Sequence, residues 1–474
     1  MRRRRPESLR ANAAWRVADG FGGAVPTASR YVEPGSIDEM LSAIQQARRD
    51  GLAVTFRGAG RSYGDAALNH SGVLLDLRRL NRVIRWDAAT GTIEVEPGVT
   101  IEDLWRHALP HGYWPAVVPG TMRPTIGGCL AMNIHGKNNY REGPFGDHVL
   151  DFDLVTPDGA LLRCSRSENA DVFHAAIGGL GLLGAITRVT IRLKKVETGL
   201  LRVEPIVEGS LASAMTAFEG VLPTSDYAVG WVDAVAPGRS LGRAVLHRAT
   251  YTSAAEIADA ASTLDPNRQD LPRSIYGVPK DQIWRLMRPA MTNAGVRLVN
   301  AARYRVARLH GQKPYLQSHV AFAFLLDYVP DWRLAYGPAG LIQYQVFVPH
   351  QTAPAALAAV IAKTQAARRP SYLGVLKRHR PDDFLLSHAV DGWSLALDFA
   401  VGRDRDGLWR LTEQLTEIVL AAGGRFYFAK DAVLRPGDVS RAYGRDRLDR
   451  FLAVKARLDP GNVLTSDLWR RVSG

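Results

Sequence analysis

Cysteine is scarce in this chain, whose 474 residues include only Cys129 and Cys164. Two cysteines exclude a disulfide scaffold and a cysteine-based metal cluster, and they fit a reducing compartment such as the cytoplasm. No apolar run reaches the roughly 18 residues that a membrane-spanning helix needs. The N-terminus carries Arg2 to Arg5 but no apolar segment after them. We therefore expect no secretion signal and interpret residues 1–15 as a solvated basic tail.

Acidic residues are outnumbered, because 60 lysines and arginines face 47 aspartates and glutamates, for a net charge of +13. The basic residues are spread along the chain and most are arginine, which indicates a compositional preference more than a binding surface. No zinc-finger spacing or RNA-binding signature is present, so we expect no nucleic-acid partner. Attraction to an anionic membrane surface or to a lipid phosphate stays open.

Motifs of several enzyme classes are absent. The sequence contains no H-E-x-x-H, G-x-S-x-G or Walker A motif, and its 12 histidines show no metal-ligand spacing, so we expect no metal site. Gly179 to Gly184 does match G-x-G-x-x-G, but a helix is predicted before it (171–177) and a strand after it (186–191). This order is the reverse of the dinucleotide-binding fingerprint and excludes a nicotinamide site of that kind. A buried glycine-rich crossing close to another cofactor stays compatible.

The length favours two or three domains, and 46% hydrophobic residues are typical of a globular protein. Helical spacing predicts a helix over 37–49, and a buried strand over 52–56 follows it. Short strands with interposed helices then form an α+β pattern without regular βαβ repeats. The pattern changes near residue 196, where a second domain begins with strands such as 227–233, 340–348 and 393–399. A short strand over 425–429 and a helix over 448–456 complete the chain.

A glycine-rich loop follows the strand over 52–56 and consists of Arg57, Gly58, Ala59, Gly60, Arg61, Ser62, Tyr63 and Gly64. Its glycines would let backbone amides approach a phosphate, and its arginines and hydroxyls would add charge and donors. A plain tight turn is the alternative. A second glycine-bearing stretch over 119–128 leads to His135 and Lys137, which point the same way in an extended segment. They could contact a ring system and an anion, or lie in an exposed turn.

Taken in order along the chain, these stretches carry a resemblance. The loop from Arg57 to Asp65 resembles the pyrophosphate loop of the FAD-binding fold shared by vanillyl-alcohol oxidase and p-cresol methylhydroxylase. The whole chain resembles the decaprenylphosphoryl-β-D-ribose 2-oxidase family, flavoenzymes of arabinan precursor synthesis. The matching stretches are 57–65, 134–138, 335–340, 343–345, 429–431 and 459–462, and they span almost the whole chain.

The resemblance implies an α+β protein with a two-part FAD-binding domain of the vanillyl-alcohol oxidase type. Residues 16–196 and the C-terminal segment 425–474 would form that domain, and an inserted antiparallel-sheet domain over 197–424 would bind the substrate. Noncovalent FAD is implied, because Tyr63 stands near the place where relatives with covalent flavin often carry a histidine. The implied reaction oxidises the C2 hydroxyl of a polyprenyl-phosphoryl-β-D-ribose to a ketone by hydride transfer to flavin N5.

Partners and location follow from the same resemblance. A separate nicotinamide-dependent reductase would reduce the keto product and complete a ribose-to-arabinose epimerisation. The substrate would be a sugar-lipid phosphate. A cytoplasmic enzyme with peripheral contact at the inner membrane face would fit such a substrate.

The resemblance also assigns roles to residues of this sequence. The FAD-binding set is Arg57, Gly58, Gly60, Arg61, Ser62, Tyr63, Gly64, Asp65, Gly120, Thr121, Gly127, Gly128, His135, Gly136, Gly181, Ile186 and Tyr427. The substrate-binding set is Lys137, Trp231, Gln343, Gln345, Lys377 and Lys430. The catalytic set is Lys430, Tyr63 and His135, and the proton-accepting base is Tyr63, Lys430 or bulk water. A buried Lys430 beside the flavin would stabilise the anionic reduced form.

The substrate domain departs from the family pattern. Ser394 and Ala396 stand where the mycobacterial enzymes carry asparagine and cysteine, and Ala323 stands where they carry tyrosine. These departures motivate an alternative function, an alditol or aldonolactone oxidase that acts on a soluble polyol. The charge of +13 motivates a more remote alternative, a non-catalytic basic binding protein.

Overall fold

The computed structural model describes residues 14–311 and 313–473. The predicted basic tail lies outside this range except for its last two residues, and Trp15 already begins a strand. The first sheet has four strands in the order β1-β2-β4-β3. Its strands are β1 (Trp15–Ala18), β2 (Thr27–Val32), β3 (Val54–Arg57) and β4 (Val73–Asp76).

Helix α1 (Ile37–Arg49) connects β2 to β3 and has the predicted bounds. Ser36 caps it, because its side chain accepts a hydrogen bond from the Glu39 amide. Acidic residues in the first turn and basic residues in the last turn complement the helix dipole. Its apolar face, which includes the fully buried Met40, packs in a small core with β3, β4 and the C-terminal residues Val463 and Leu464.

The C-terminal segment returns to this first sheet. The Val54 amide donates to the Val463 carbonyl at 2.7 Å, and the Thr465 amide donates to the Val54 carbonyl at 3.0 Å. The turn before this contact is held by Asp459, whose carboxylate accepts the Val463 amide at 2.9 Å and the Lys455 ammonium at 2.6 Å. The C-terminal segment therefore lies along the β3 edge of this sheet, whereas β1 forms the opposite edge.

The second sheet is antiparallel, with five strands in the order β5-β6-β10-β8-β9. Its strands are β5 (Val83–Asp87), β6 (Thr92–Val95), β8 (Val149–Val155), β9 (Leu161–Ser165) and β10 (Ala185–Arg192). Strands β7 (Tyr113–Trp114) and β11 (Lys194–Lys195) form a separate pair. The glycine motif over 179–184 lies between a helix over Ala170–Ala176 and β10, which confirms that its order is the reverse of a dinucleotide-binding site.

The third sheet has eight antiparallel strands in the order β17-β12-β14-β13-β19-β20-β18-β21. Its strands are β12 (Leu200–Glu208), β13 (Tyr227–Val232), β14 (Ala244–Tyr251), β17 (Tyr315–Ser318), β18 (Leu341–Pro349), β19 (Gly374–His379), β20 (Gly392–Ala400) and β21 (Arg425–Phe426). A hairpin of β15 (Ser274–Ile275) and β16 (Val278–Pro279) lies outside it. The predicted strand over 425–429 ends early, because the Lys430 and Asp431 amides turn back onto the Tyr427 carbonyl.

Helices cover one face of the large sheet and link the layers. The remaining helices are α2 (Ile101–Ala108), α3 (Ile126–Ala131), α4 (Asn139–Glu142), α5 (Ala170–Ala176), α6 (Leu211–Val221), α7 (Ala260–Thr263), α8 (Ile283–Met287), α9 (Asn293–Leu309), α10 (His319–Ala323), α11 (Ala353–Ala366), α12 (Arg405–Ala421), α13 (Asp438–Tyr443), α14 (Arg445–Leu458) and α15 (Asp467–Ser473). Helices α6, α11 and α12 pack on the large sheet. Within residues 14–311 and 313–473, no helix has the length and apolar character that a bilayer crossing requires.

Candidate functional site

The glycine-rich loop leaves β3 and runs through residues 58–64 in close contact with other backbone. A Cβ atom at Gly58 would overlap the Thr125 hydroxyl, and one at Gly64 would overlap the Asp431 carbonyl oxygen. Gly60 has a φ of +63°, in the left-handed region that L side chains rarely adopt. Steric or conformational reasons therefore require glycine at each of these three positions. A plain solvent-exposed turn would impose no such requirement.

Backbone amides of this loop are free to bind a ligand. In the described part of the chain, the amides of residues 59–62 have no hydrogen-bond acceptor. Successive amides around a left-handed residue form a concave donor site that suits an anion. The Arg61 guanidinium adds positive charge, and its buried Nε has no partner among the described residues. The loop thus combines free amides with a free guanidinium, which is the donor set that a pyrophosphate requires.

Two charged residues of the loop brace the fold. Arg57 donates to the carbonyls of Asp19 at 2.8 Å and Ala67 at 3.2 Å, and burial lowers the pKa of its guanidinium. Asp65 pairs with Arg471 at 2.7 Å. The polar atoms of Arg57 and Asp65, both predicted to bind the cofactor, are therefore engaged with neighbouring segments in this geometry.

The second glycine-bearing stretch lies beside the first loop. Thr121 donates its hydroxyl to Asp327 at 2.7 Å, and the Met122 amide donates to the same carboxylate at 2.8 Å. Gly127 packs so closely on Pro97 that a Cβ atom would lie 2.8 Å from the proline ring. Gly120 and Gly128 have no side chain, so no Cβ atom covers their backbone on this side of the loop. Asp327 was not predicted, and it holds the stretch in position.

The C-terminal turn completes this side of the site. The Tyr63 amide donates to the Ala429 carbonyl at 2.7 Å, and the Lys430 ammonium lies 3.7 Å from the centre of the Tyr63 ring. Lys430 has no ion-pair partner within 4.0 Å among the described residues. Arg471 ties Asp431 to the loop at 2.9 Å. Lys430 is thereby fixed beside the glycine loop with a free ammonium group.

One face of the large sheet forms the opposite wall. Strand register places four residues in one row across neighbouring strands: Trp231, Val375, Ala396 and Gln345. The adjacent rows hold Gln343 opposite Asp398, and Lys377 opposite Ser394. Side chains at every second position of a strand share a face, so these residues line one surface. The helices α6, α11 and α12 cover the other face, where the core lies.

His135 connects the two walls. The side-chain amide of Gln345 lies 3.0 Å from its Nε2, and the Lys377 ammonium lies 3.5 Å from its Nδ1. The rings of His379 and His388 lie within 5.0 and 5.2 Å of its ring, and Tyr427 lies 4.4 Å from His388. Burial lowers the pKa of all three histidines, and the nearby lysines lower it further. These rings are therefore neutral at physiological pH.

Two lysines and one aspartate are buried in the site. Burial lowers the pKa of Lys377 to about 8 and also lowers that of Lys430. Asp398 is a buried carboxyl that accepts a hydrogen bond from Gln343 at 2.5 Å, while its second oxygen has no partner among the described residues. Burial raises the pKa of Asp398, and attraction between Asp398 and Lys430 opposes both shifts. Burial thus favours the neutral form of both lysines and of Asp398, while the attraction between Asp398 and Lys430 favours their charged forms.

Comparison with known proteins decides the family. A model described as an FAD binding domain matches residues 28–165, which include the loop over 57–64. The decaprenylphosphoryl-beta-D-ribose oxidase of Mycolicibacterium smegmatis is 32% identical to this chain over 458 residues, or 96% of each protein. This chain belongs to the decaprenylphosphoryl-β-D-ribose oxidase family.

More distant members of the superfamily match a smaller part. L-gulonolactone oxidase of Mus musculus is 32% identical over 162 residues, which cover 34% of this chain and 36% of the relative. Cytokinin dehydrogenase 1 of Oryza sativa is 32% identical over 193 residues, which cover 39% of this chain and 36% of the relative. The family and the FAD-binding domain together make this chain an FAD-dependent oxidoreductase with FAD as its cofactor.

The residues present fit FAD. Free loop amides and the Arg61 guanidinium suit its pyrophosphate, and Gly58 and Gly64 hold the loop against Thr125 and Asp431. The neutral His135 ring and the Lys430 ammonium suit an uncharged ring system that gains negative charge on reduction. Gly181 has φ +72°, and a Cβ atom added there would lie 3.5 Å from the Phe56 ring of β3; Ile186 is buried in β10.

Not every predicted substrate residue faces free space. Lys137 donates to the carbonyls of Phe322 and Ala323, and burial lowers its pKa. Gly136 packs near the Asn138 side chain. Trp231 is buried, and the Arg303 guanidinium stacks on its ring at 4.5 Å. Lys137 and Trp231 therefore shape the pocket wall, whereas Lys377, Gln343, Gln345 and Lys430 line the site itself.

Three functional candidates escaped prediction: Asp398, His379 and His388. Each lies on a strand or turn far along the chain from the loop it faces. The pattern Gln343-x-Gln345 was a usable signal, because alternate polar residues in a buried strand point to one surface. Asp398 can be recognised as part of this surface only once strand register places it opposite Gln343.

Proposed function

We propose that this enzyme oxidises the C2 hydroxyl of a polyprenyl-phosphoryl-β-D-ribose to a ketone, the first half of a ribose-to-arabinose epimerisation. The observation that carries the proposal is the match to the M. smegmatis oxidase over 96% of both chains, which includes the substrate half. The gulonolactone oxidase match covers 34% of this chain, so it supports the cofactor without supporting a soluble polyol as substrate.

The proposed architecture is a two-part FAD-binding domain over 16–196 and 425–474, with a substrate domain over 197–424 between them. Contacts from the C-terminal segment to β3 support this division, as does the Tyr63–Ala429 hydrogen bond. The FAD is proposed to be noncovalent. Residues 58–64, 120–121 and 127–128 would hold its phosphates, and His135, Gly136 and Tyr427 would lie against its ring system.

The proposed chemistry uses the basic face of the large sheet. FAD, when bound, supplies the acceptor of the hydride at N5. The Lys430 ammonium orients the reacting hydroxyl and balances negative charge as the reaction proceeds. The Asp398 carboxylate takes the hydroxyl proton, because burial has raised its pKa toward the working range of a general base. Tyr63 holds Lys430 in place through its ring.

Substrate recognition is proposed to use side chains of the same face. Gln343, Gln345 and Lys377 would bind the sugar and its phosphate, and Trp231 would form an apolar wall. Ser394 and Ala396 are smaller than the asparagine and cysteine of the mycobacterial enzymes, so this pocket would have more space beside Lys377. A separate nicotinamide-dependent reductase would reduce the keto product. The enzyme would work in the cytoplasm, in peripheral contact with the inner membrane face.

An anaerobic reduction assay tests the substrate. The protein with bound FAD is mixed with a prenyl-phosphoryl ribose, with free ribose, or with soluble alditols and aldonolactones, and loss of flavin absorbance is recorded. Rapid bleaching by the prenyl-phosphoryl ribose alone is expected. Faster bleaching by a soluble polyol would establish the alternative oxidase function. The lipid-linked arabinose isomer is the matched control, because it lacks the C2 configuration of the substrate.

A further inference from the structure

Positive charge is concentrated in one segment of this chain. Residues 271–316 contain nine lysines and arginines and one acidic residue, Asp281, and so carry most of the excess of +13. Within the described residues, none of these nine side chains lies within 4.0 Å of a carboxylate, whereas arginines elsewhere, such as Arg188 and Arg471, are paired. The segment therefore presents unpaired cationic groups.

The same segment exposes apolar side chains. On helix α9, Leu298 is 72% exposed, Leu309 is 83% exposed, and Val299 and Val306 are about half exposed. Their spacing places them on one side of the helix. The opposite side is anchored, because Val296 is buried and Asn300 donates to Asp233 at 3.0 Å. Nearby, Leu286 of α8 is 65% exposed, and α8 and α9 both contact the turn over Arg288–Ala290.

Folding alone does not explain an outer helix face of this composition. Burying each exposed leucine would be favourable by about 2 kcal/mol, yet these side chains lie in water. Arg297, Arg305 and Arg308 lie on the same exposed part of α9, so an acceptor must offer both an apolar layer and negative charge. An interface between lipid chains and anionic headgroups has that combination, and amphipathic helices with basic flanks bind there.

We propose that the outer face of α9 and its flanking basic residues dock on a bilayer that contains anionic phospholipid. Leu298, Val299, Val306 and Leu309 would insert between the headgroups, and the arginines would contact lipid phosphates. The same helix contacts the proposed pocket wall through Arg303, which stacks on Trp231. A docked enzyme would thus have its substrate wall next to the membrane. The docking itself does not depend on the proposed reaction.

Vesicle flotation of the FAD-loaded protein tests the docking. We expect binding to phosphatidylcholine vesicles that contain phosphatidylglycerol, weak binding to pure phosphatidylcholine, and a decrease with rising ionic strength. The triple variant Arg297→Gln, Arg305→Gln, Arg308→Gln should lower the affinity about 100-fold. Leu298→Ser with Leu309→Ser should lower it at least about tenfold.

Matched controls separate this surface from general charge and hydrophobicity. Arg192→Gln, Arg403→Gln and Arg445→Gln remove the same charge from exposed positions elsewhere, and Leu161→Ser removes a leucine that is 65% exposed. These controls should keep vesicle binding. Equal loss in the controls, or unchanged binding in the α9 variants, would overturn the proposal. So would a dimer that the α9 variants dissociate, or duplex DNA binding that exceeds vesicle binding.

A second measurement keeps this test separate from the proposed function. Flavin reduction by detergent-solubilised prenyl-phosphoryl ribose should be the same in wild type and in the α9 variants, because α9's outer residues lie outside the site. If wild type floats with anionic vesicles but is not reduced by this substrate, the docking stands and the proposed reaction fails. If reduction occurs but flotation does not, the reaction stands and the docking is overturned.

Discussion

The glycine loop and the face of the large sheet are two halves of one site, and they are built on different principles. In the loop, the free backbone amides and the Arg61 guanidinium are the candidate ligand-binding groups, and three glycines within seven residues let the loop pack closely. On the sheet face, side chains act, and they come from strands that are widely separated in sequence. The loop is therefore encoded by a short local pattern, whereas the sheet face is assembled only when strand register is established.

The largest expected effect comes from adding one methyl group to the loop. In Gly64→Ala, the new Cβ would overlap the Asp431 carbonyl and force the loop away from the C-terminal turn. We expect unfolding free energy to fall by about 3 kcal/mol and bound FAD to be lost. Urea unfolding and the flavin-to-protein ratio measure both.

Gly220→Ala is the matched control for that substitution. Gly220 lies in helix α6 with open space around its Cα, so alanine should raise the stability by about 0.5–1 kcal/mol. A fully loaded, stable Gly64→Ala protein would show that close backbone approach is not what defines the loop.

The next effect concerns the sheet face. Asp398→Asn preserves the shape that accepts the Gln343 hydrogen bond but cannot take a proton. We expect flavin reduction to slow by about 100-fold or more, with FAD content unchanged. In wild type the rate should rise with pH through the raised pKa of Asp398, because only the carboxylate is a base, and this rise should be absent in the variant. Stopped-flow reduction at several pH values measures it.

Asp382→Asn controls for the loss of a buried carboxyl. Burial raises the pKa of Asp382 to about 6, but its carboxylate is bonded to Ser387 at 2.6 Å and to Asn133 at 3.2 Å. Its substitution should leave the reduction rate and its pH dependence intact. The same pH dependence in Asp398→Asn and wild type would remove Asp398 from the proton transfer.

A smaller effect tests the neutral histidines between the two halves. Burial lowers the pKa of His388 to about 3, so it stays neutral in the folded protein while the unfolded chain binds a proton below about pH 6.5. Stability must therefore fall as pH decreases. His388→Gln should make this dependence shallower by about 1.4 kcal/mol per pH unit between about pH 4 and 6. Urea unfolding across this range measures it, and an unchanged slope would contradict a neutral His388.

Local patterns predicted what depends on nearby residues. The bounds of α1 and the reversed order around Gly179 are confirmed. The strands β12, β14 and β19 were not predicted. In β12 and β14, charged residues interrupt the apolar pattern, and the structure explains them by the cross-strand pair of Glu204 and Arg248 at 2.9 Å.

Prediction of the site followed the same division. The family resemblance placed Lys430 and Tyr63 together, and the structure brings them into contact. The resemblance gave no indication of Asp398 or of the histidine cluster. The positions of these residues in the site depend on strand register and burial, which a sequence pattern does not give. We predicted that basic charge is spread along the chain and did not predict the cationic surface of α9. Its arginines can be recognised as unpaired only when the ion pairs of the other arginines are known.

Flavin reduction in Lys430→Ala tests most directly whether the two halves meet at this lysine. We expect a yellow protein that binds FAD as wild type does, because the loop amides are untouched. Its flavin should not be bleached by prenyl-phosphoryl ribose under anaerobic conditions. Lys363→Ala, on the outer helix α11, should be reduced at the wild-type rate. Reduction of Lys430→Ala at the wild-type rate would show that Lys430 is not required for the reaction.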